Sequence, residues 1–294
     1  MRLLVVSHTP HYLKDGQPVG WGATVREIDV LSTLFDRLVH LAPLYDGPAP
    51  SSSLRYTSPH VAYHPVAPAG GDRVIDKAGI MRRYPGYMQA IVRELRQADV
   101  VHVRCPANIS LLAILLLAFV RTPRMRWVKY AGNWQPTRRE PWSYTLQRWW
   151  LRKGLHRGLV TVNGEWPNQP AHVRQFINPC LTDEEWQSAA QVARAKSLSA
   201  PLRLLFVGAV NEAKGVGRAL KTVQRLHQKG IPLVFDIIGD GAASGVFARQ
   251  AQELGINSCV RFHGALPRTT LNEHYAQAHI MLFPTDSSEG WPKV

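Results

Sequence analysis

The sequence is poor in cysteine, has no long apolar run and carries no acidic excess. Its three cysteines, Cys105, Cys180 and Cys259, are far apart among 294 residues and match no metal-binding spacing. This excludes a disulfide scaffold and fits a reducing cytosol. The longest apolar run, residues 109–120, has 12 residues, whereas a membrane span needs about 20. The apolar start of the chain breaks after residue 6, which indicates a buried strand rather than a signal peptide.

Several catalytic motifs are also missing. The chain contains no G-x-x-x-x-G-K-[ST], no G-x-S-x-G and no H-E-x-x-H, which excludes P-loop, nucleophile-elbow and zincin chemistry. Gly239-Asp240-Gly241 is followed by Gly245 rather than by a glycine at position 244, so the dinucleotide fingerprint fails by one position. No Asp-x-Asp occurs either, which argues against a metal–diphosphate transferase of the single-domain type.

Short apolar runs alternate with longer amphipathic runs along the chain, a pattern typical of βαβ units with a parallel sheet. The pattern breaks over residues 163–201 and restarts at Leu202. We therefore predict an α/β protein with two Rossmann-like domains, residues 1–180 and 202–294, joined by a linker over 181–201. Residues 9–22 and 46–72, rich in glycine, proline or serine, are predicted to be loops. Thr182-Asp183-Glu184-Glu185 has the form of a capping box and predicts a helix start.

Four successive predicted strands in the second half end at Gly208, Gly239, Gly264 and Pro284. Ligands of doubly wound sheets bind beyond the carboxyl ends of the strands, and glycine lets a ligand approach the backbone closely. Ordinary turn chemistry would select the same residues. The doubly wound pattern favours the first interpretation, a ligand-binding rim.

Four sequence blocks surround these strand ends: LLFVGAVNEAKG (204–215), IIGDG (237–241), VRFHGAL (260–266) and FPTDSSEGW (283–291). In this order and spacing they resemble the retaining GT-B glycosyltransferases of the "glycosyl transferases group 1" family. The resemblance is strong over 202–294 and diffuse over 1–180. It implies a GT-B architecture, with the nucleotide sugar bound to the second domain and the acceptor to the first. It also implies that the second domain is incomplete, because the family pattern extends beyond position 294.

The resemblance assigns roles to residues of the second domain. Lys214 would stabilise the departing nucleoside diphosphate, and Glu289 would contact the donor hexose. The donor would also be bound by Gly208, Gly215, Gly239, Asp240, Gly241, Gly264, Leu266, Ser288, Gly290 and Trp291. A lysine and the N–H groups of a helix start can act together on an anion, although most lysines are solvated surface residues. Ala209 stands where the family has an arginine, and Arg218 or Arg268 could replace it.

The acceptor side is less well defined. Gly20 and Gly22 precede a predicted helix and resemble the glycine loop of the family, although a plain turn explains them equally well. His102 and Asn133 lie near the ends of two predicted strands. The histidine that many family members carry near positions 131–133 is absent. Gly20, Gly22, His102 and Asn133 are therefore the acceptor-side candidates.

Residues 121–157 contain ten Lys and Arg against the single acid Glu140, together with five tryptophans. An anionic membrane surface, single-stranded nucleic acid or a solvated helix face could each explain this composition. No nucleic-acid signature occurs, so we favour a peripheral position at the cytoplasmic face of a membrane. Trp149 and Trp150 are adjacent, so at least one of them should be exposed.

The expected activity is transfer of a hexose from a UDP- or GDP-linked sugar to a glycan or lipid-linked acceptor, with retention of configuration. Synthesis of cell-surface polysaccharide is the expected context, and no cofactor or metal is expected. Two alternatives remain open. One is a GT-B-like sugar-nucleotide epimerase, and the other is a non-catalytic fragment that only binds nucleotide.

Overall fold

In the computed structural model, the chain is described over residues 1–69, 74–136, 139–176 and 181–286, with the backbone alone over 74–81. The contacts between residues divide the chain into two compact units, whose main segments are Met1–Cys180 and Leu181–Ser287. Each unit is an α/β structure built on a parallel sheet. The predicted fold class is confirmed.

The first unit is built on a parallel sheet that has seven strands among the described residues, in the order β10-β9-β8-β7-β1-β4-β6. A small antiparallel sheet, β2-β3-β5, lies beside it in the same unit. The strands are β1 (Arg2–Val6), β2 (His11–Lys14), β3 (Gln17–Trp21), β4 (Arg37–Pro43), β5 (Ser53–Arg55), β6 (Val61–Val66), β7 (Val100–Cys105), β8 (Met125–Tyr130), β9 (Leu159–Asn163) and β10 (Val173–Phe176). The helices are α1 (Gly22–Ser32), α2 (Val74–Leu95), α3 (Asn108–Phe119) and α4 (Trp142–Arg152).

Alternate residues of the central strands supply the two faces of this sheet. Val101 and Val103 of β7 pack in the main core with α3, which buries Ile114 and Leu117. The nearly uncharged α3 is therefore a core helix, as its length predicted. None of the helices in the described ranges is both long and apolar enough to cross a membrane.

The sheet β2-β3-β5 corrects the prediction of loops over 9–22 and 46–72, and β6 lies in the second of these ranges. Strands β2 and β3 pair from His11 opposite Gly20 to Lys14 opposite Gln17. Asp15 and Gly16 close the hairpin with φ of 53° and 73°. Asp-Gly is a strong signal for this type of two-residue hairpin turn, so the sequence did contain the evidence for it.

The second unit has the sheet order β13-β12-β11-β14 within the described residues, and all its pairings are parallel. Its elements are α5 (Asp183–Ala195), β11 (Leu202–Val207), α6 (Val216–Gln228), β12 (Leu233–Ile238), α7 (Ser244–Glu253), β13 (Val260–Gly264), α8 (Arg268–Gln277) and β14 (Ile280–Met281). One sheet face packs Phe206 and Phe235 in a core with α6 and α7. The other face packs Leu205 and Ile238 with Leu271 of α8.

Helix α5 lies within the stretch expected to be a linker. The predicted capping box is confirmed, since Thr182 Oγ1 accepts from the Glu185 N–H and the Glu185 carboxylate accepts from the Thr182 N–H. Glu185 also pairs with Arg268 at 2.8 Å, which connects α5 to the start of α8. The structure therefore groups these residues with the second unit.

Candidate functional site

The carboxyl ends of β11, β12 and β13 form a rim of glycine backbone in the second unit. The Gly208 N–H donates to the Ile238 carbonyl oxygen at 3.0 Å, and the Gly239 N–H donates to the Gly264 carbonyl oxygen at 2.8 Å. A Cβ at position 239 would lie 1.8 Å from the Gly208 oxygen, and Gly239 has a φ of 136°. Only glycine fits there, so the rim has no side chains at these three positions.

The loops that follow β11 and β12 are joined in the same way. The Val210 N–H donates to the Asp240 carbonyl oxygen at 3.0 Å, and a Cβ at position 241 would lie 2.3 Å from the Val210 oxygen. The Asp240 carboxylate accepts from the Gly241 N–H at 2.7 Å, so it orders its own turn. The rim is therefore rigid backbone that adjoins the start of α7.

Lys214 lies in the loop before α6, because the helix begins two residues later, at Val216. The Asn211 side chain accepts from the Lys214 N–H at 2.9 Å. The next residue, Gly215, has a φ of 84°, and a Cβ on it would lie 2.0 Å from the Pro284 carbonyl oxygen. The Lys214 loop thus packs tightly against the loop that follows β14.

Three helices of the second unit start at this edge of the sheet. Within the described residues, no side chain caps the N-termini of α6, α7 and α8, and no acidic residue stands in their first turns. Uncapped N–H groups and the positive end of the helix dipole favour an anion. With Lys214, they make this edge suited to a diphosphate.

Both arginines proposed to replace the missing arginine at position 209 have protein partners. Arg218 donates to the Pro284 carbonyl oxygen at 2.8 Å and pairs with Asp286 at 2.9 Å. Arg268 pairs with Glu185. The Arg218 guanidinium therefore connects α6 to the loop after β14, and the Arg268 guanidinium connects α8 to α5.

Of the remaining donor candidates, Leu266 is half-buried and packs against the apolar cluster on the α8 side of the sheet. Glu289, Ser288, Gly290 and Trp291 lie outside the described residues.

His102, an acceptor-side candidate, is fully buried in β7 of the first unit. Its ring stacks on Trp127 with the centroids 3.8 Å apart. Burial, together with the nearby Arg104 guanidinium, lowers the pKa of His102 to about 3. The ring is therefore neutral and out of reach of solvent.

The other acceptor-side candidates have local structural roles. A Cβ on Gly20 would lie 2.5 Å from the His11 ring, and a Cβ on Gly22 would lie 2.7 Å from the Ser52 carbonyl oxygen. Asn133 is half-buried and accepts from the Gln135 N–H at 3.0 Å, which forms a turn after β8. Close packing accounts for both glycines.

The sequence analysis missed a buried charge cluster in the first unit. Glu27 of α1 contacts Lys129 of β8 at 2.6 Å and Arg104 of β7 at 2.9 Å. Burial acts to raise the pKa of Glu27, but the Arg104 and Lys129 cations outweigh it and hold the pKa well below its usual range. Because the three residues come from separate elements, only the fold brings them together.

Comparison with known proteins shows a family resemblance in the second half of the chain. Residues 190–294 match the family model "Glycosyl transferases group 1". The amylovoran biosynthesis glycosyltransferase AmsK of Erwinia amylovora is 29% identical over 89 residues, which is 30% of this chain and 22% of the relative. The match therefore covers about a fifth of the length of that relative.

Solved structures resemble almost the whole chain. Sucrose-phosphate synthase of Thermosynechococcus elongatus superposes with a TM-score of 0.67 at 15% identity, covering 99% of this chain and 77% of that one. WaaG, a glycosyltransferase involved in lipopolysaccharide biosynthesis, has a TM-score of 0.53 at 14% identity over 96% of this chain and 75% of its own. At such identities these likenesses establish the fold. Residues 190–294 therefore resemble the glycosyl transferases group 1 family, and the chain has the fold of the GT-B glycosyltransferases.

Proposed function

We propose that the protein transfers a hexose from a UDP- or GDP-linked sugar to a hydroxyl group of a glycan or lipid-linked acceptor, with retention at the anomeric carbon. The observation that carries this proposal is the glycine rim of the second unit, with Lys214 and three uncapped helix starts at the same edge. The family match over residues 190–294 supports it.

In this proposal the protein acts by electrostatic stabilisation. The bond between the anomeric carbon and the diphosphate oxygen breaks, and negative charge develops on the departing nucleoside diphosphate. The acceptor hydroxyl oxygen bonds to the same face of the anomeric carbon, and its proton passes to the departing diphosphate. Lys214 and the helix N–H groups would neutralise that charge. The bare backbone at Gly208 and Gly239 would let the diphosphate approach these groups closely.

The relatives suggest the class of acceptor. AmsK is named for amylovoran biosynthesis, and WaaG for lipopolysaccharide biosynthesis. We propose that this protein also acts in the synthesis of cell-surface polysaccharide and that its first unit binds the acceptor.

We also propose that the first unit docks on anionic lipid through the amino edge of its sheet, called here the basic edge. Helices α3 and α4 end there, and strands β8 and β9 begin there. Segments 119–125 and 152–159 contain no acidic residue. Their exposed cationic and apolar side chains are Phe119, Arg121, Arg124, Met125, Arg152, Lys153, Leu155, Arg157 and Leu159. This mixture of cations and apolar groups suits a headgroup layer.

The basic edge contains only part of residues 121–157, the region that the sequence predicts to contact the membrane. Arg126, Lys129 and Arg148 are buried and cannot contact lipid: Arg126 binds backbone carbonyls, Lys129 binds Glu27, and Arg148 binds Glu140. Trp149 is 51% exposed in the last turn of α4, as the adjacency of two tryptophans required. Trp142, at the start of α4, lies at the opposite end of that helix.

Product analysis with a panel of UDP- and GDP-sugars tests the proposed activity. Transfer to an added glycan or lipid acceptor, with the anomeric configuration of the donor, is the expected result. Epimerised nucleotide sugar without any acceptor product would favour the epimerase. Nucleotide binding without turnover on any acceptor in the panel would favour a protein that only binds nucleotide.

A further inference from the structure

Asp236 is an unusual residue for its position. It stands between Phe235 and Ile237 in the otherwise apolar strand β12, and its side chain is only 12% exposed. Because Phe235 and Ile237 point to the α6–α7 face, the alternation of a strand directs Asp236 to the α8 face. A carboxylate in such a place requires a partner, since burying an unpaired charge is costly.

Two histidines meet this carboxylate from different elements. His263 of β13 has its Nε2 at 2.6 Å from Asp236 Oδ1. His274 of α8 lies against His263, with the ring centroids 4.8 Å apart and the planes at 63°. One ligand atom from each residue can be chosen so that all three lie within 4.8 Å of one another. The two histidines are half-buried, so solvent still reaches the cluster.

We propose that Asp236, His263 and His274 form a zinc-binding site that is separate from the donor rim. Two imidazole nitrogens and one carboxylate oxygen are ligands that suit Zn²⁺, whereas Mg²⁺ and Ca²⁺ prefer oxygen alone. Zinc–ligand bonds of about 2.0 Å in a tetrahedron place ligand atoms about 3.3 Å apart. The three ligand atoms would therefore move by about 1 Å, and a water molecule would take the fourth position.

Zinc bound at this site would restrict the motion of a short loop of the second unit. His263 immediately precedes Gly264, and His274 lies two turns into α8, so the loop 265–267 runs between two of the ligands. Asp236 provides the third ligand from the neighbouring strand. Bound zinc would therefore fasten α8 to the sheet and fix the loop that carries Leu266. This proposal concerns metal binding and stands whether or not the transferase activity is found.

The test uses the full chain without an affinity tag, titrated with zinc chloride in a calorimeter. We expect one Zn²⁺ per chain and, at about 100-fold excess over the dissociation constant, a rise in melting temperature of about 5–10 °C. Co²⁺ in place of Zn²⁺ should give the visible absorption of a tetrahedral site. His274→Gln should weaken binding at least about 100-fold, and Asp236→Asn should do the same.

His227→Gln is the matched control, because His227 is an exposed histidine in α6 of the same unit. It should bind zinc like the unaltered protein. The proposal is overturned if no stoichiometric zinc binds, if His274→Gln and His227→Gln bind zinc equally well, or if Mg²⁺ competes with zinc at equal concentration. Circular dichroism checks the fold of each variant, and His274→Gln decides the test if Asp236→Asn fails to fold.

Discussion

At the scale of single residues, Lys214 carries the electrostatic part of the proposed site. We predict that Lys214→Ala weakens the binding of UDP or GDP by roughly 1.5–3 kcal/mol, the contribution of a hydrogen bond to a charged group. Isothermal titration calorimetry measures this loss as a rise in the dissociation constant.

Lys221→Ala provides the comparison, since Lys221 is an exposed lysine of α6, the helix that follows Lys214. Its nucleotide affinity should equal that of the unaltered protein. Equal affinity for the Lys214→Ala variant would remove Lys214 from the donor site.

Gly239 is a second residue for which we predict the effect of a substitution, here on the stability of the protein. A Cβ there would lie 1.8 Å from the Gly208 carbonyl oxygen, and the φ of 136° is strained for any other residue. We predict that Gly239→Ala lowers the free energy of unfolding by at least about 3 kcal/mol.

Gly245→Ala is the control for that variant. Gly245 lies in the first turn of α7, and its Cβ would approach nothing closer than Arg249 at 4.0 Å. Alanine in a helix is favoured over glycine by about 0.5–1 kcal/mol, so urea denaturation should show a neutral or stabilising change. Equal free energies of unfolding for the two variants would show that the backbone does not pack tightly around Gly239.

At the scale of elements, the sequence predicted best those strands that are marked by a single clear pattern of residues. Strands β11, β12 and β13 are short apolar runs that each end at glycine, so both these strands and the glycine rim at their ends could be predicted. Strand β6 was missed because it contains Pro65 and His64 and is half-buried. The Glu27 cluster could not be predicted, because its members lie up to 102 residues apart and only the fold brings α1 next to β7 and β8.

A hydrogen-bond chain buried in the first unit joins β1, β2 and β4. His11 Nδ1–H donates to the Thr9 carbonyl oxygen at 2.9 Å, so His11 Nε2 accepts from the Tyr56 hydroxyl at 2.6 Å. His40 Nδ1–H then donates to the Tyr56 oxygen at 2.6 Å, and His40 Nε2 accepts from the Ser7 hydroxyl at 2.7 Å. With this tautomer each neutral ring has one donating and one accepting nitrogen, and burial, which lowers the pKa of both histidines, keeps the rings neutral.

The buried neutral histidines of the first unit predict a loss of stability in acid. Burial lowers the pKa of His11 and His156 to about 4 and that of His102 to about 3, whereas the unfolded chain has the ordinary value of about 6.5. Below that value the unfolded state binds more protons, so stability is complete above about pH 6.5 and falls as the pH approaches 4. Each histidine contributes up to about 1.4 kcal/mol per pH unit.

Urea denaturation followed by circular dichroism between about pH 7.5 and pH 4.5 measures this slope. His227→Gln, which removes an exposed histidine, should leave the slope unchanged. A free energy of unfolding that is constant over this range would show that the buried histidines are not held neutral.

At the scale of the whole molecule, the basic edge predicts salt-sensitive binding to lipid. Vesicles with anionic lipid should bind the protein at low salt and release it as salt is added, and neutral vesicles should bind it poorly. Each basic residue near an anionic surface contributes about 1 kcal/mol. Arg121/Arg124→Glu should therefore weaken binding by at least about 2 kcal/mol in a flotation assay.

Arg225/Lys229→Glu makes the same change of charge at exposed positions of the second unit and should bind vesicles like the unaltered protein. Two results would contradict the lipid proposal. One is that no protein floats with anionic vesicles at low salt, and the other is that RNA or single-stranded DNA displaces the vesicles.

The central claim is that the nucleotide part of the donor binds to the glycine rim of the second unit. Hydrogen–deuterium exchange of the full chain, with and without saturating UDP or GDP, tests it most directly. We predict slower exchange of the backbone amides at residues 208–215, 239–241 and 264–266 when nucleotide is bound. Unchanged exchange at all three segments, or protection confined to residues 1–176, would contradict the claim.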